Sequence, residues 1–386
     1  MILMNGAMTQ GSGSGQRALP RVGSWLTPLL PNEPRIFDQA TQTALTAQYL
    51  LPVLPELEAC LLAVRRQLDP ELERLQPVKL GKPYPVGQCL EIAEAVHKRL
   101  RTVEENAIAS DAVKGLRALR AFQSAGGDFR QVWGDLRGQY FQNAFQVGTL
   151  YIDVANDTVT PTKPKVEILP FDQAQFVPIR DFEHFRQMAC RYWGDEVYPN
   201  HVLPTLAPHC PLIHVSQSGR IQLRDATQYM LAMTRSQAFK PSEAALREAP
   251  MPQAVFERVR NALEKTGLTL ATTPKQGRQQ ALQQCREQRA KRWHLHHSWP
   301  AQVTYDVQRV NLQLVHACQQ PLQDRKVPTI KIDNIDYDLE HLSDDARAQL
   351  QSIQFVDQEL ARLQAQVAAM QTARNAYLSA LKAALK

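Results

Sequence analysis

The sequence predicts an α+β protein in which helices precede a small antiparallel sheet. Apolar residues recur at three- and four-residue spacing between residues 37 and 124, as they do along the buried face of a helix. Between residues 129 and 169 the apolar residues follow short, alternating patterns that are typical of strands. Because both patterns occur in one continuous stretch, we expect the helices and the strands to form one domain.

The first segment, residues 1–34, is expected to be a disordered tail. It is rich in Gly, Ser, Gln and Pro and has too little apolar surface to bury. Residues 35–265 are assigned to the α+β domain, with helical additions to its core. The first helical pattern, residues 37–68, contains Pro52 and Pro55, which predict either two short helices or one bent helix.

A proline-rich segment, residues 76–87, leads into the central part of this domain and is expected to be extended. Cys89 then begins a predicted helix that ends at Val103, and a second helix is expected to end near Gly126. Four predicted strands follow: Phe129 to Trp133, Tyr140 to Val147, Leu150 to Val154, and Lys165 to Leu169.

The rest of the domain adds helices and one hairpin. Three helical patterns cover residues 181–192, 227–238 and 254–265. Between the first two of them, a turn at Gly219 separates two short apolar runs and predicts a hairpin, Leu212 to Leu223.

Residues 266–326 are interpreted as a basic and aromatic helical connector. Within it, the patch at residues 275–299 interleaves Arg and Lys with Trp and His, a pattern that single-stranded nucleic acid can bind by charge and stacking. A solvated helix face that runs into a buried aromatic end explains the same pattern and is the preferred interpretation. Its close histidines have no Cys, Asp or Glu at a matching short spacing, so no metal site is predicted.

Composition places the chain among reduced, globular proteins. Six widely spaced cysteines with no C-x-x-C pair favour free thiols and a cytoplasmic location over a disulfide framework. No long apolar run predicts a membrane span, and the net charge of +6 is spread along 386 residues, which argues only weakly for a nucleic-acid partner. No cofactor is expected.

Residues 327–386 are predicted to form a separate module, a β-hairpin followed by a long amphipathic helix. Ser343 can cap this helix, and an apolar seam then follows a three-four spacing. The seam must be covered by another copy, by the same chain or by a partner protein, and residues 340–386 are therefore the expected site of association. Its members are Val356, Leu360, Leu363, Val367, Met370, Tyr377 and Leu381.

The end of the chain, through the segments QFVDQELARL and TARNAY, resembles a family of short bacterial proteins of unknown function. The resemblance covers about the last sixty residues, 327–386. It implies an independent module and carries no activity over to this chain.

A second resemblance concerns residues 84–158, where Gly87-Gln88-Cys89 starts a helix, a strand with Asn143-Ala144-Phe145 follows, and the next strand carries Asp153. This order is similar to the core of the transglutaminase-like branch of papain-like cysteine enzymes. The resemblance implies a papain-like fold in which N-terminal helices pack on a small antiparallel sheet. It implies Cys89 as the nucleophile, Asp153 as the orienting carboxylate, and Asn143 at the position of the histidine.

The asparagine decides how this site is interpreted. A helix N-terminus favours a thiolate, but an amide cannot take a proton from a thiol near neutral pH. The leading hypothesis is therefore a non-catalytic protein, built on a degenerate cysteine-enzyme fold and used for binding and assembly. One alternative is an active thiol enzyme (an amidase, peptidase or acyl transferase) that takes a base from a histidine between residues 184 and 214. Another is a nucleic-acid-binding protein.

The length of the hairpin loop supplies a geometric condition for the site. A two-residue turn at Gly148-Thr149 would leave Asp153 on the face of the sheet opposite to Asn143. A catalytic triad requires an odd loop or a bulge there.

Overall fold

The structure is a computed structural model that describes residues 29–79, 81–264, 267–296, 298–318, 329–332 and 335–338. It is a mixed helical and strand protein with antiparallel sheets, as the sequence predicts. The chain divides into two compact units, Met1–Gln319 and Gln320–Lys386. Most of the tail predicted for residues 1–34 and all of the predicted apolar seam lie outside the described residues.

The last residues of the predicted tail belong to the folded domain. The carbonyl of Asn32 accepts a hydrogen bond from the backbone N–H of Trp133 at 2.8 Å, and the carbonyl of Glu33 accepts one from Arg130 at 3.1 Å. The prediction of disorder is therefore wrong for these residues, because backbone groups bind a strand edge whatever the side-chain composition of the segment.

The first helical layer is one bent run, which was one of the two predicted alternatives. It consists of α1 (Gln39–Leu45), a π-turn (Thr46–Leu50), a 3-10 turn (Leu51–Val53) and α2 (Leu54–Leu75). The π-turn ends just before Pro52 and the 3-10 turn contains it, because proline lacks the N–H that a regular helix requires. By length and composition alone, the run from Gln39 to Leu75 is sufficient to cross a membrane. Its residues Leu57 and Leu61, however, are buried in the protein core.

Two more helices complete this layer. A short hairpin of β1 (Val78–Lys79) and β2 (Lys82–Pro83) leads to α3 (Cys89–Thr102), and α4 (Ser110–Ser124) follows. Helix α4 crosses α2 closely, because a Cβ on Gly115 would lie 2.1 Å from the carbonyl oxygen of Glu56.

The central sheet has five antiparallel strands in the order β6-β5-β4-β3-β7. One face packs against α2, α3 and α4 through Phe145, Val147 and Ile152, while Tyr140, Ala144 and Tyr151 fill a second cluster on the other face. The strands are β3 (Phe129–Leu136), β4 (Tyr140–Val147), β5 (Leu150–Asp153), β6 (Glu167–Pro170) and β7 (Phe176–Val177).

The second half of this unit surrounds a three-stranded antiparallel sheet of order β10-β9-β8. In chain order its elements are α5 (Phe182–Trp193), β8 (Glu196–Pro199), β9 (Leu212–Val215), β10 (Ile221–Gln222), α6 (Gln228–Ser236), α7 (Lys240–Leu246), α8 (Gln253–Leu263), α9 (Pro274–Ala290) and α10 (Trp299–Cys318). Val303, Val307 and Val310 of α10 pack in one core with Phe256 and Val259 of α8. The predicted connector therefore contributes helices to the core of the first unit.

In the second unit, β11 (Thr329–Ile332) pairs with β12 (Ile335–Asp338) as the predicted antiparallel hairpin.

Candidate functional site

Cys89 is the first residue of α3, as predicted, and a tight turn holds it in place. Gly87 adopts a left-handed conformation with φ of +74°, and its N–H donates to the carbonyl of Thr158 at 2.8 Å. Next to it, the buried Gln88 side chain donates to the carbonyl of Gln76 at 2.8 Å. These bonds anchor the start of the helix at both sides and leave Cys89 half-buried.

Asn143 lies in the middle of β4 and faces Cys89. Its Nδ2 atom donates to the Sγ atom of Cys89 across 3.5 Å, and its side chain is 8% exposed. Its direct neighbour on β3 is Trp133. The structure therefore brings together the first two residues of the predicted site.

Asp153 lies on the other face of the sheet. Strand β4 pairs with β5 so that Phe145 is opposite Ile152 and Val147 is opposite Leu150, which leaves a two-residue turn between the strands. Successive side chains alternate between faces, so this register separates Asp153 from Asn143. The predicted triad is therefore not formed, because the turn has the even length that the sequence analysis identified as incompatible with it.

Asp153 has partners of its own in the core. Its Oδ2 atom accepts from Gln142 Nε2 at 2.6 Å and from the Tyr151 hydroxyl at 3.1 Å, and its Oδ1 atom accepts from the N–H of Ala155 at 2.7 Å. Burial raises the pKa of the Asp153 carboxyl to about 6, and these hydrogen bonds limit the rise. The carboxyl group thus holds β4, β5 and the following turn together.

The electrostatics of Cys89 are opposite to the sequence-based expectation. Burial raises the pKa of the Cys89 thiol above its ordinary value, and the hydrogen bond from Asn143 offsets only part of that rise. The expected effect of the helix N-terminus is outweighed, because desolvation penalises the thiolate at this packed position.

The histidines that the site would need as a base contact other residues. His184 accepts from the N–H of Arg180 at its Nδ1 atom, so its Nε2 atom carries the proton and donates to Asp135 at 2.9 Å. His214 is bonded to Asp195 at 3.2 Å. His201 contacts the carbonyl of Leu246, and His97 of α3 contacts the Phe129 ring.

A buried ionic network beside this site was missed by the sequence analysis. Arg65 of α2 is fully buried and donates to Asp157 and to the carbonyl of Val154, each at 2.9 Å. Its Nε atom donates to Asp69 at 2.6 Å, and Asp69 also accepts from the Tyr84 hydroxyl at 2.5 Å. Arg65 thus joins α2 to the end of the sheet and to the segment before Cys89. The signal in the sequence that could have revealed this network is the position of Arg65 within the apolar stripe formed by Leu61, Val64 and Leu68.

The basic patch at residues 275–299 is partly tied into the fold. Helix α9 buries Gly277, Ala281 and Cys285, while Arg289 pairs with Glu243 at 2.9 Å. Lys291 lies over the ring of Trp293 at 5.5 Å. The solvated face of α9 agrees with the preferred interpretation. The buried aromatic end does not, because no residue of the turn Trp293–Leu295 is buried and Trp293 is only half-buried. Among the residues that the structure describes, no group of three His, Cys, Asp or Glu side chains is placed to hold a metal ion.

Comparison with known proteins identified no relative of this chain. No protein-family model, curated protein or solved structure matches the chain. The interpretation of the site therefore rests on the geometry and electrostatics of its own residues.

Proposed function

We propose that this protein is a non-catalytic binding and assembly protein, built on a degenerate transglutaminase-like fold. The observation that carries the proposal is the contact between Cys89 and Asn143, in which an amide lies where a cysteine enzyme needs a base. The papain-like part of the proposal is supported by the chain order: α3 begins at Cys89 and packs on β4, which carries Asn143, and β5 follows.

Two further observations argue against thiol catalysis. A nucleophilic cysteine requires a lowered thiol pKa or an adjacent base, whereas burial raises the pKa of Cys89. An orienting carboxylate must reach the base, whereas Asp153 is fully buried on the opposite face with three partners of its own. The residues inherited from a cysteine-enzyme core would then stabilise the fold instead of performing chemistry.

We expect Cys89 to react slowly with electrophiles. Iodoacetamide labelling followed by peptide mass spectrometry should give a rate at pH 6.5 below that of free cysteine, and a rise in rate at higher pH than for free cysteine, because the thiolate is the reactive form. Half-exposed Cys190 and buried Cys60 serve as internal comparisons. Preferential labelling of Cys89 at pH 6.5 would contradict the proposal and favour the thiol enzyme.

The variant Asn143→His tests whether the missing base is the deciding residue. An imidazole at this position lies next to the sulfur, and its positive form stabilises a thiolate. We expect this variant to label faster than the parent protein at pH 7, while Asn143→Gln, which keeps an amide, does not. Equal rates in all three proteins would show that the residue at position 143 does not control the thiol.

The assembly part of the proposal concerns the predicted helix in residues 340–386, in the cytoplasm, with a second copy or another protein as the partner. It is motivated by the apolar seam, which requires a covering surface.

We expect the full chain to self-associate, and the double variant Leu360→Glu with Leu363→Glu to shift it towards the monomer. Light scattering after size-exclusion chromatography measures the mass. The matched control, Gln358→Glu with Ala365→Glu, adds the same charge on the opposite side of the predicted helix and should leave the mass unchanged. A monomeric parent chain would rule out self-association and leave a partner protein as the occupant of the seam.

A further inference from the structure

A cavity of about 420 Å³ lies between α5, β8 and α7, in the second half of the first unit. Its floor is apolar and is made by Phe182, Val197 and Leu212, all of which are buried. Prolines and alanines form much of its wall: Pro199, Pro241, Ala244, Ala245, Ala249 and Pro250. Pockets that bind small organic molecules are mostly apolar and have volumes of roughly 300–1,000 Å³, so this cavity has a suitable size and composition.

The rim of this cavity is acidic. Asp181, Glu183 and Glu248 contribute three carboxylates, and Arg186 contributes one guanidinium, so the rim carries an excess of two negative charges. Arg186 is paired with Glu183 at 2.6 Å. Asp181 caps α5 and accepts a hydrogen bond from the N–H of His184 at 2.7 Å, and Glu183, helped by the charge of Glu248, raises the pKa of Arg186. Three carboxylates therefore share one guanidinium beside an apolar floor, and the rim keeps a net negative charge.

We propose that this cavity is a binding site for a small amphipathic cation, with an apolar or aromatic body on the floor and an ammonium group at the rim. The apolar body is stabilised by leaving water, and the ammonium group by attraction to Asp181 and Glu248. An anion of the same shape is repelled by the same two carboxylates. None of the residues that line this cavity belongs to the site at Cys89 or to residues 340–386, so the proposal does not depend on the proposed function.

The test compares two probes that share an indole ring and a two-carbon arm but carry opposite charges, tryptamine and indole-3-propionate. Isothermal titration calorimetry on the full chain should show saturable binding of tryptamine, roughly tenfold tighter than the propionate, as expected for two exposed charge interactions. Equal affinity for the two probes, or no saturable binding of tryptamine at millimolar concentration, would overturn the proposal.

Two variants locate the binding in this cavity. Ala244 is exposed on α7 and lines the cavity, so Ala244→Phe should fill the space and abolish tryptamine binding. Glu248→Gln should weaken tryptamine binding by about threefold, as expected when one exposed charge interaction is removed, and reduce the discrimination against the propionate. If Ala244→Phe fails to fold, Glu248→Gln still decides the case.

The matched controls are Ala290→Phe and Glu94→Gln, which make the same changes at exposed positions on α9 and α3. Neither should change the affinity for tryptamine. Binding that survives both cavity variants unchanged would assign the probe to a different site and contradict the proposal.

Discussion

Replacing Arg65 by alanine is expected to destabilise the protein by about 3–5 kcal/mol, the usual cost of removing one partner of a buried ion pair. The Arg65 side chain is fully buried, and its loss removes the bidentate donor to Asp157 and the donor to the carbonyl of Val154. Lys165 still contacts both Asp69 and Asp157, at 2.8 Å and 3.3 Å, but it is only partly buried and cannot supply the lost bidentate geometry. Urea denaturation followed by circular dichroism measures the change in the free energy of unfolding.

The neighbouring residue provides a matched control for this experiment. Arg66 is exposed on the same helix, and Arg66→Ala should change the free energy of unfolding by less than about 0.5 kcal/mol, as surface substitutions usually do. Equal effects of the two substitutions would mean that the buried network contributes no stability beyond helix propensity.

The second large effect is a loss of stability with rising pH that depends on Asp225. Burial raises the pKa of this carboxyl to about 8, and the bond from the N–H of Leu212 at 3.0 Å opposes the rise only in part. Its Oδ1 atom is buried and has no hydrogen-bond partner among the residues that the structure describes. In the unfolded chain the same carboxyl releases its proton near pH 4.

The direction of the pH effect follows from these two values. Between about pH 4 and pH 8 the folded state holds a proton that the unfolded state has lost, so the free energy of unfolding falls as the pH rises. The contribution of Asp225 is fully present below pH 4 and is lost by about pH 8. Each unit of difference corresponds to about 1.4 kcal/mol, so the loss amounts to several kcal/mol.

Asp225→Asn removes this titration and is the variant that measures it. We expect the variant to be more stable than the parent protein at pH 8.5 and to lose that advantage at pH 4.5, in urea denaturation at both values. Other carboxyls titrate in the same range, so the difference between the two proteins is the informative quantity. Asp172→Asn, at an exposed position, is the control and should follow the parent protein at both pH values. A constant difference between the parent protein and Asp225→Asn across this range would contradict the assignment.

Local signals in the sequence were sufficient to predict most elements around the candidate site. The start of α3 at Cys89, the end of α4 near Gly126 and the extent of β4 agree with the structure within one or two residues. Prolines, glycines and hydrophobic periodicity act over a few residues, so a single sequence can reveal them. The same reasoning missed α7 and β8, which are short and lie beside proline-rich segments.

Long-range contacts were harder to predict. Arg65 lies 92 residues from Asp157 in the chain, and no local pattern reports that pairing. Helix α10 packs on α8 in one core, although the sequence analysis assigned the residues of α10 to a connector. An apolar stripe shows that a helix face is covered, but it does not identify the element that covers it. The tail prediction was wrong at Asn32 and Glu33 for a related reason, since their contacts use backbone groups that composition does not describe.

The sequence by itself determined the α+β class, the helix that begins at Cys89, and the strand that carries Asn143. It also identified the hairpin turn as the feature that would decide whether a triad forms. Only the tertiary structure decided that question, because strand register is set by packing across the whole sheet and places Asp153 on the far face. The tertiary structure also decided that the pKa of the Cys89 thiol is raised, since desolvation depends on the neighbours that folding brings together.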